Sequence, residues 1–517
     1  MDTWGGIGWV NYSGIVLIYI TVTVIYNLYL HPLSGFPGPF WARSSLVCAV
    51  PNQLQDPVLM KNHSYGEFTI LWVVDFTAPS TDNTKNTVWS IDLHRARVVL
   101  TTTAGHVVRI SPNELSFASV ESWKAIYGHQ VSGKPVPIKS QFYEIYGAGF
   151  TSLCIGSERD PKKHGRMRKL LSAAFATKSL VEQEVIVAQA IDLFIDQLGR
   201  KGGPETSGLD LTKWYEMAAF DILGEMAFGE SFNCIKSGEP HFWSELVLDH
   251  LYFITLIDNL RRIPLLVRIT RLLFPSNLAV RNRNSEYSRG QVAKRLSKPT
   301  ARKDFLTTMV KHFEDGNLEK EELTAHVSTL VIAGGETIAT FLGAVTYHLL
   351  QSQVCHEKLK NEIRGHFAKS EDINATEARK LPYLQAVIDE GLRIYPPGSQ
   401  GFPRVSTGML IGSTWAEIYT SAWTVTHSEE YFSEPMKFKP DRWLDQGSTD
   451  VKEASQPFSL GPRGCLGQKS INLILAKMFW RYDLELLDPN LDWEGQSHMH
   501  VMWWKPELPV RFFERQA

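Results

Sequence analysis

Cysteine is scarce. The 517 residues hold five, at positions 48, 154, 234, 355 and 465, and no two of them form a CxxC pair. An odd number spread over the whole length excludes the disulfide framework of a small secreted domain and the paired ligands of a zinc ribbon, and it points to a reducing compartment. An excess of charge of one sign is missing too: 53 Lys and Arg stand against 55 Asp and Glu, a formal net charge of -2, so no general attraction draws the chain to nucleic acid. No internal repeat and no low-complexity tract interrupts the sequence, and no Gly-rich dinucleotide fingerprint follows a strand. At this length, with 44% hydrophobic residues, the chain reads as one large body with a sizeable core.

The first forty residues lack cations. From Gly8 to Leu30 the sequence GWVNYSGIVLIYITVTVIYNLYL carries no charge at all, and no Lys or Arg occurs before Arg43. A run of this length can cross a hydrocarbon layer of about 30 Å. A cleaved signal peptide would need a basic start and a small-residue cleavage site, neither of which is present, and a buried core helix is the other alternative. The reading is a membrane anchor over residues 1–30 and a stiff Pro/Gly-rich hinge over 31–45, which would uncouple it from a body over 46–517. Asp2 before the span and the first cations after it place that body in the cytosol.

Helical periodicity dominates the body. VEQEVIVAQAIDLFIDQLGR, KWYEMAAFDILGEMAF, EELTAHVSTLVIAGGETIATFLGAVTYHLLQ and ARKLPYLQAVIDEGLRIYPP all repeat apolar residues at helical spacing, while HVVRI and EIYTSAW are short strand-like runs. The fold class is therefore mainly α with small peripheral β-sheets. The third of these patterns, through residues 321–351, is too apolar for a surface helix and is expected in the core.

One cysteine has unusual surroundings. FSLGPRGCLG, Phe458–Gly467, sets Cys465 in a loop with Gly461, Gly464 and Gly467. A free cysteine is most often a small buried hydrophobe. Here the glycines allow main chain to approach a flat ligand, Arg463 can pair with a carboxylate over the loop, and backbone N–H groups aimed at Cys465 would hold its sulfur as a thiolate.

Phe458, Gly461, Arg463, Cys465 and Gly467 resemble, position for position, the F-x-x-G-x-R-x-C-x-G signature of the cytochromes P450, the haem-thiolate monooxygenases. Three further stretches fit in order. Glu390 and Arg393 in EGLR stand one helical turn apart, and Arg393 precedes Cys465 by 72 residues, with Arg442 in FKPDRW between them. An isolated E-x-x-R is weak, since Glu286 and Arg289 form another. The resemblance makes Glu390, Arg393 and Arg442 a buried triad bracing the cysteine loop. AGGET, Ala333–Thr337, could be a small-residue helix contact. The Thr337 hydroxyl can instead turn to carbonyl 333 and open the helix there, and by resemblance Glu336 and Thr337 relay protons during oxygen activation. His164 and Arg168, four apart in DPKKHGRMRK, read alone as a solvated charge run. By resemblance they join Arg463 in binding the haem propionates.

The resemblance runs from the anchor to RYDLELL near the C-terminus and is finest with fungal microsomal members of secondary metabolism. It implies the cytochrome P450 fold behind one transmembrane helix, haem b with Cys465 as axial ligand, oxygen insertion into an apolar small molecule, and electrons from NADPH-cytochrome P450 reductase. It also implies a single-pass protein of the endoplasmic reticulum membrane with a luminal N-terminus. Leu330, Ile332 and Gly398–Phe402 would line either the substrate cavity or ordinary core. Segments 46–105, 405–418 and 467–475 depart from the pattern. They leave two alternatives open, an isomerase or dehydratase of the same cofactor and an inactive haem-binding membrane protein.

Overall fold

The computed structural model describes residues 4–44, 105–129, 136–147, 149–247, 275–297, 304–399, 401–406, 415–464, 471–499 and 502–516. Cys465 and Gly467 lie outside the described residues, as do nearly all of segment 46–105, residues 407–414 of segment 405–418 and residues 467–470 of segment 467–475. The body is helical, with strands β1 Val107–Ser111, β2 Glu114–Phe117, β3 Ile138–Lys139, β4 Leu209–Asp210, β5 Arg404–Val405, β6 Glu417–Thr420, β7 Tyr482–Leu486, β8 His498–Met499, β9 Trp503–Trp504 and β10 Pro509–Glu514. They form a five-stranded sheet of order β1-β2-β6-β5-β3, a three-stranded sheet β4-β10-β7 and the ribbon β8-β9. HVVRI becomes β1, but only the first half of EIYTSAW is strand: Ser421 accepts a bond from the Thr424 N–H and starts a short helix at Ala422.

The helix Lys320–Gln351 runs through the core, as its apolar pattern demands. Its 32 residues span about 48 Å, and Glu321 and Glu322 in the first turn complement its dipole. Beside it lies the helix Leu211–Phe228, begun by Asp210, whose carboxylate accepts the Thr212 N–H at 3.0 Å, and ended by Gly229 at φ 76°. The Tyr215 hydroxyl meets Thr346 Oγ1 at 2.8 Å and pins the two together. The helix Pro382–Ile394 crosses close by because Gly391 has no side chain: a Cβ there would stand 2.9 Å from Phe341 Cε2. Proline at its first turn removes one orphan N–H, and Glu362 accepts the next two, from Tyr383 and Leu384, at 2.8 and 2.9 Å.

The N-terminal helix, Trp4–Ile25 continued by a π turn Tyr26–Leu30, projects with apolar side chains such as Leu17, Ile18 and Tyr19 all about two-thirds exposed. Such a surface fits an apolar medium better than water. The expected free hinge after it is not what forms. Asn27 and Leu28 are buried, the Asn27 amide donates to Ser44 O at 3.0 Å, and Arg109, fully buried, donates to Asn27 O at 2.9 Å and to Pro112 O at 2.8 Å. Pro37 O accepts the Arg109 N–H at 2.7 Å, and Leu33 is fully buried. Prolines and glycines here make a docked strap, so the anchor boundary at residue 30 falls inside a packed joint. Deleting residues 1–30 is expected to leave the body folded but less stable by about 1–3 kcal/mol, because Arg109 keeps a buried donor with no acceptor. Deleting residues 1–24 retains Asn27 and should cost much less, which a comparison of thermal midpoints checks.

Candidate active site

The chain leading to Cys465 is set by main-chain geometry. Gly461 has φ 69°, and a Cβ on it would stand 2.2 Å from Tyr127 O, so only glycine fits. Ser459 also takes a left-handed φ of 57°, a conformation that costs free energy outside glycine. Phe458 packs against the main core and fixes the loop's entry. Arg168, on the helix Pro161–Ser172, donates to Gly464 O at 2.7 Å, tying that helix to the residue before the cysteine.

A cluster of basic side chains surrounds this point. His164, one turn before Arg168, is buried, and its imidazole is pushed down to about 3 by burial and then by Lys139, Arg463, Arg168 and Arg404. Lys139 falls to about 7, from burial first and Arg404 next, and it donates to the Ile155 and Gly156 carbonyls at 2.6 and 2.7 Å. Burial, then Arg404, lowers Arg463 to about 10. Among the described residues, Nε and Nη2 of Arg463 and Nη1 of Arg404 are buried without an acceptor. Cations crowded together with orphaned donors call for anions. Arg404 and Lys139 escaped sequence reading, because only the pairing of β5 with β3 and β6 brings them beside Arg463.

Glu390, Arg393 and Arg442 meet in the core. Glu390 and Arg393 have fully buried side chains joined by two bonds of 2.8 Å, and Arg442 Nε reaches Glu390 Oε1 at 3.2 Å. Glu390 also accepts from the Lys439 N–H and Trp443 Nε1, while Arg393 donates to the carbonyls of Thr426, Pro435 and Lys437. Arg442 adds Asp450. These partners lie between residues 426 and 450, so the triad stitches that meander to the helix, one segment ahead of the cysteine loop. The other E-x-x-R does something else, since Arg289 pairs with Glu321 at 2.6 Å.

In the core helix Thr337 Oγ1 donates to Ala333 O at 2.7 Å. The helix stays α-helical through 333–337, without the expected opening. Gly334 meets the helix-contact reading, because a Cβ there would lie 3.1 Å from Leu223. Glu336 is turned by about 100° from Thr337, and its carboxylate meets Lys505 Nζ at 2.9 Å. Lys505 also contacts Glu216 at 3.0 Å. Neither partner carried a sequence signal: Lys505 lies 169 residues from Glu336.

Residues 94–507 match the family described as Cytochrome P450. This chain belongs to the cytochrome P450 family. It is 53% identical over 508 residues to Cytochrome P450 monooxygenase ORF9 of Penicillium roqueforti, covering 97% of this chain and 93% of that one. Cytochrome P450 monooxygenase BOT4 of Botryotinia fuckeliana is 48% identical over 511 residues, 97% of this chain and 90% of its own. The P450 is a monooxygenase of a haem-thiolate family that takes a small-molecule substrate and electrons from a redox partner. Its crowded cations and orphaned guanidinium donors suit the two carboxylates of a haem.

Proposed function

We propose that this P450 monooxygenase binds haem b through Cys465 and inserts oxygen into an apolar small molecule in fungal secondary metabolism, drawing electrons from NADPH-cytochrome P450 reductase. The cation cluster carries the reading: Lys139, Arg168, Arg404 and Arg463 converge beside the residue that precedes Cys465, and the two guanidiniums of Arg404 and Arg463 keep buried donors without an acceptor among the described residues. Arg463 and Arg404 would hold the propionates, and His164 and Arg168 would complete the set. Gly461 and Gly467 would let main chain lie against the ring, with Phe458 fixing the loop. Through its thiolate ligand the bound haem supplies electron-rich iron able to split dioxygen. Everything else is the protein's own work. Thr337 presents a hydroxyl whose proton is committed to Ala333 O, so its lone pairs are free to order water or accept a donor. Glu336, next to it, is the acid that resupplies protons. The triad Glu390–Arg393–Arg442 has a structural role, holding the approach to the cysteine loop.

The exposed N-terminal helix is read as a single-pass anchor in the endoplasmic reticulum, with its N-terminus luminal and the body cytosolic, the side where an NADPH-dependent flavoprotein reductase is available. Thr337→Ala removes one partly exposed hydroxyl, so folding and haem uptake are expected to hold while peroxide released per NADPH rises several-fold with reductase. An unchanged ratio overturns the role of Thr337.

A further inference from the structure

Lys505 is deeply enclosed and lies outside the cation cluster and the triad: its side chain is 1% exposed. It sits between β9 and β10 and reaches two glutamates on two different helices, Glu216 on Leu211–Phe228 and Glu336 on Lys320–Gln351. Its three N–H groups are used on Glu336 at 2.9 Å, Glu216 at 3.0 Å and Trp503 O at 3.3 Å. Exposure is graded along the chain of contacts. Glu216 keeps a quarter of its side chain in solvent, whereas Glu336 is 9% exposed and adjoins Thr337.

We infer that Glu216–Lys505–Glu336 is a proton path from solvent to the core helix, with Glu216 as the port and Lys505 as the carrier. The inference rests on the reading of Glu336 as the proton source. In the step, protonated Glu216 gives a proton to Lys505 as Lys505 gives one to Glu336. Lysine is an ammonium before and after, one proton has moved, and water reprotonates Glu216. Charges around the port suit it. Burial pushes the Glu216 carboxyl up to about 7, against the pull of Lys505, with Glu336 and Asp210 adding to the rise and Glu507 lying beside Asp210. Burial alone would lower Lys505, but Glu336 and then Glu216 outweigh it and hold its ammonium above the usual range. Glu216 and Lys505, two groups in contact, therefore both carry protons near neutral pH.

The same contacts could merely staple three elements, so the test separates charge from transfer. Lys505→Arg keeps the cation but cannot release a proton, and Glu216→Gln keeps a polar group at a partly open site without a titrating one. Both are prepared as haem-loaded full-length enzyme with reductase and no added substrate, and peroxide per NADPH is read, with Glu336→Gln and Thr337→Ala alongside. Infrared titration of the enzyme without reductase follows the C=O stretch of a protonated carboxyl. The expected results are several-fold more peroxide for Lys505→Arg and Glu216→Gln at unchanged haem content, and loss in Glu216→Gln of a carboxyl band that titrates near pH 7 in the parent. If Glu336→Gln raises peroxide and Glu216→Gln leaves both peroxide and the infrared band unchanged, the path is overturned and the role of Glu336 stands. If Glu336→Gln is silent, both fall.

Discussion

Arg393→Ala is expected to destabilise the folded enzyme by about 3–5 kcal/mol, because it strands a buried carboxylate and several carbonyls at once. Among the described residues Glu390 would be left with Arg442 as its one charged partner, and the carbonyls of Thr426, Pro435 and Lys437 would each lose a donor. Arg393→Lys should recover little, since an ammonium cannot reproduce the two parallel bonds of 2.8 Å that a guanidinium makes to Glu390. Thermal midpoints and haem content of purified protein read the effect. A midpoint within a degree or two of the parent would show that the triad is dispensable.

The second large effect concerns the ligand. Cys465→Ala should abolish haem retention and leave the helical fold in place. What shapes the described approach to Cys465 is independent of its sulfur: Gly461 tucks against Tyr127 O, Arg168 holds Gly464 O, and Phe458 packs on the core. No other residue of that loop can supply a thiolate. Helical circular dichroism close to the parent's, together with no thiolate-type absorption in the reduced carbon monoxide complex, is the expected pair of results. Thiolate-type absorption surviving in the variant would sink the assignment.

Legibility in the sequence followed the range of the interactions. The core helix, its neighbour and the helix bearing Glu390 and Arg393 each announce themselves by local apolar spacing, and the triad by a short spaced motif. Strand pairings that bring Arg404 beside Arg463, and the contact of Lys505 with Glu336, join residues far apart in the chain, where single-sequence periodicity carries no information. The docking of the strap is illegible for a different reason. Proline and glycine signal a turn in the backbone, but whether that turn swings free depends on what it meets, here a buried Arg109 supplied by β1.

The five-stranded sheet has a temporal consequence. Strand β6 pairs in parallel with β2, and β5 joins β6 to β3, so a single sheet depends on segments near residues 107–139 and near 404–420. Synthesis on the ribosome delivers these halves far apart in time, and pairing across so long a loop is slow. The early strands β1 and β2 must wait, edge unpaired, until some three hundred more residues have emerged. A nascent chain therefore has no completed cradle for its cofactor until synthesis is nearly over, and cofactor capture belongs to the last stage of maturation.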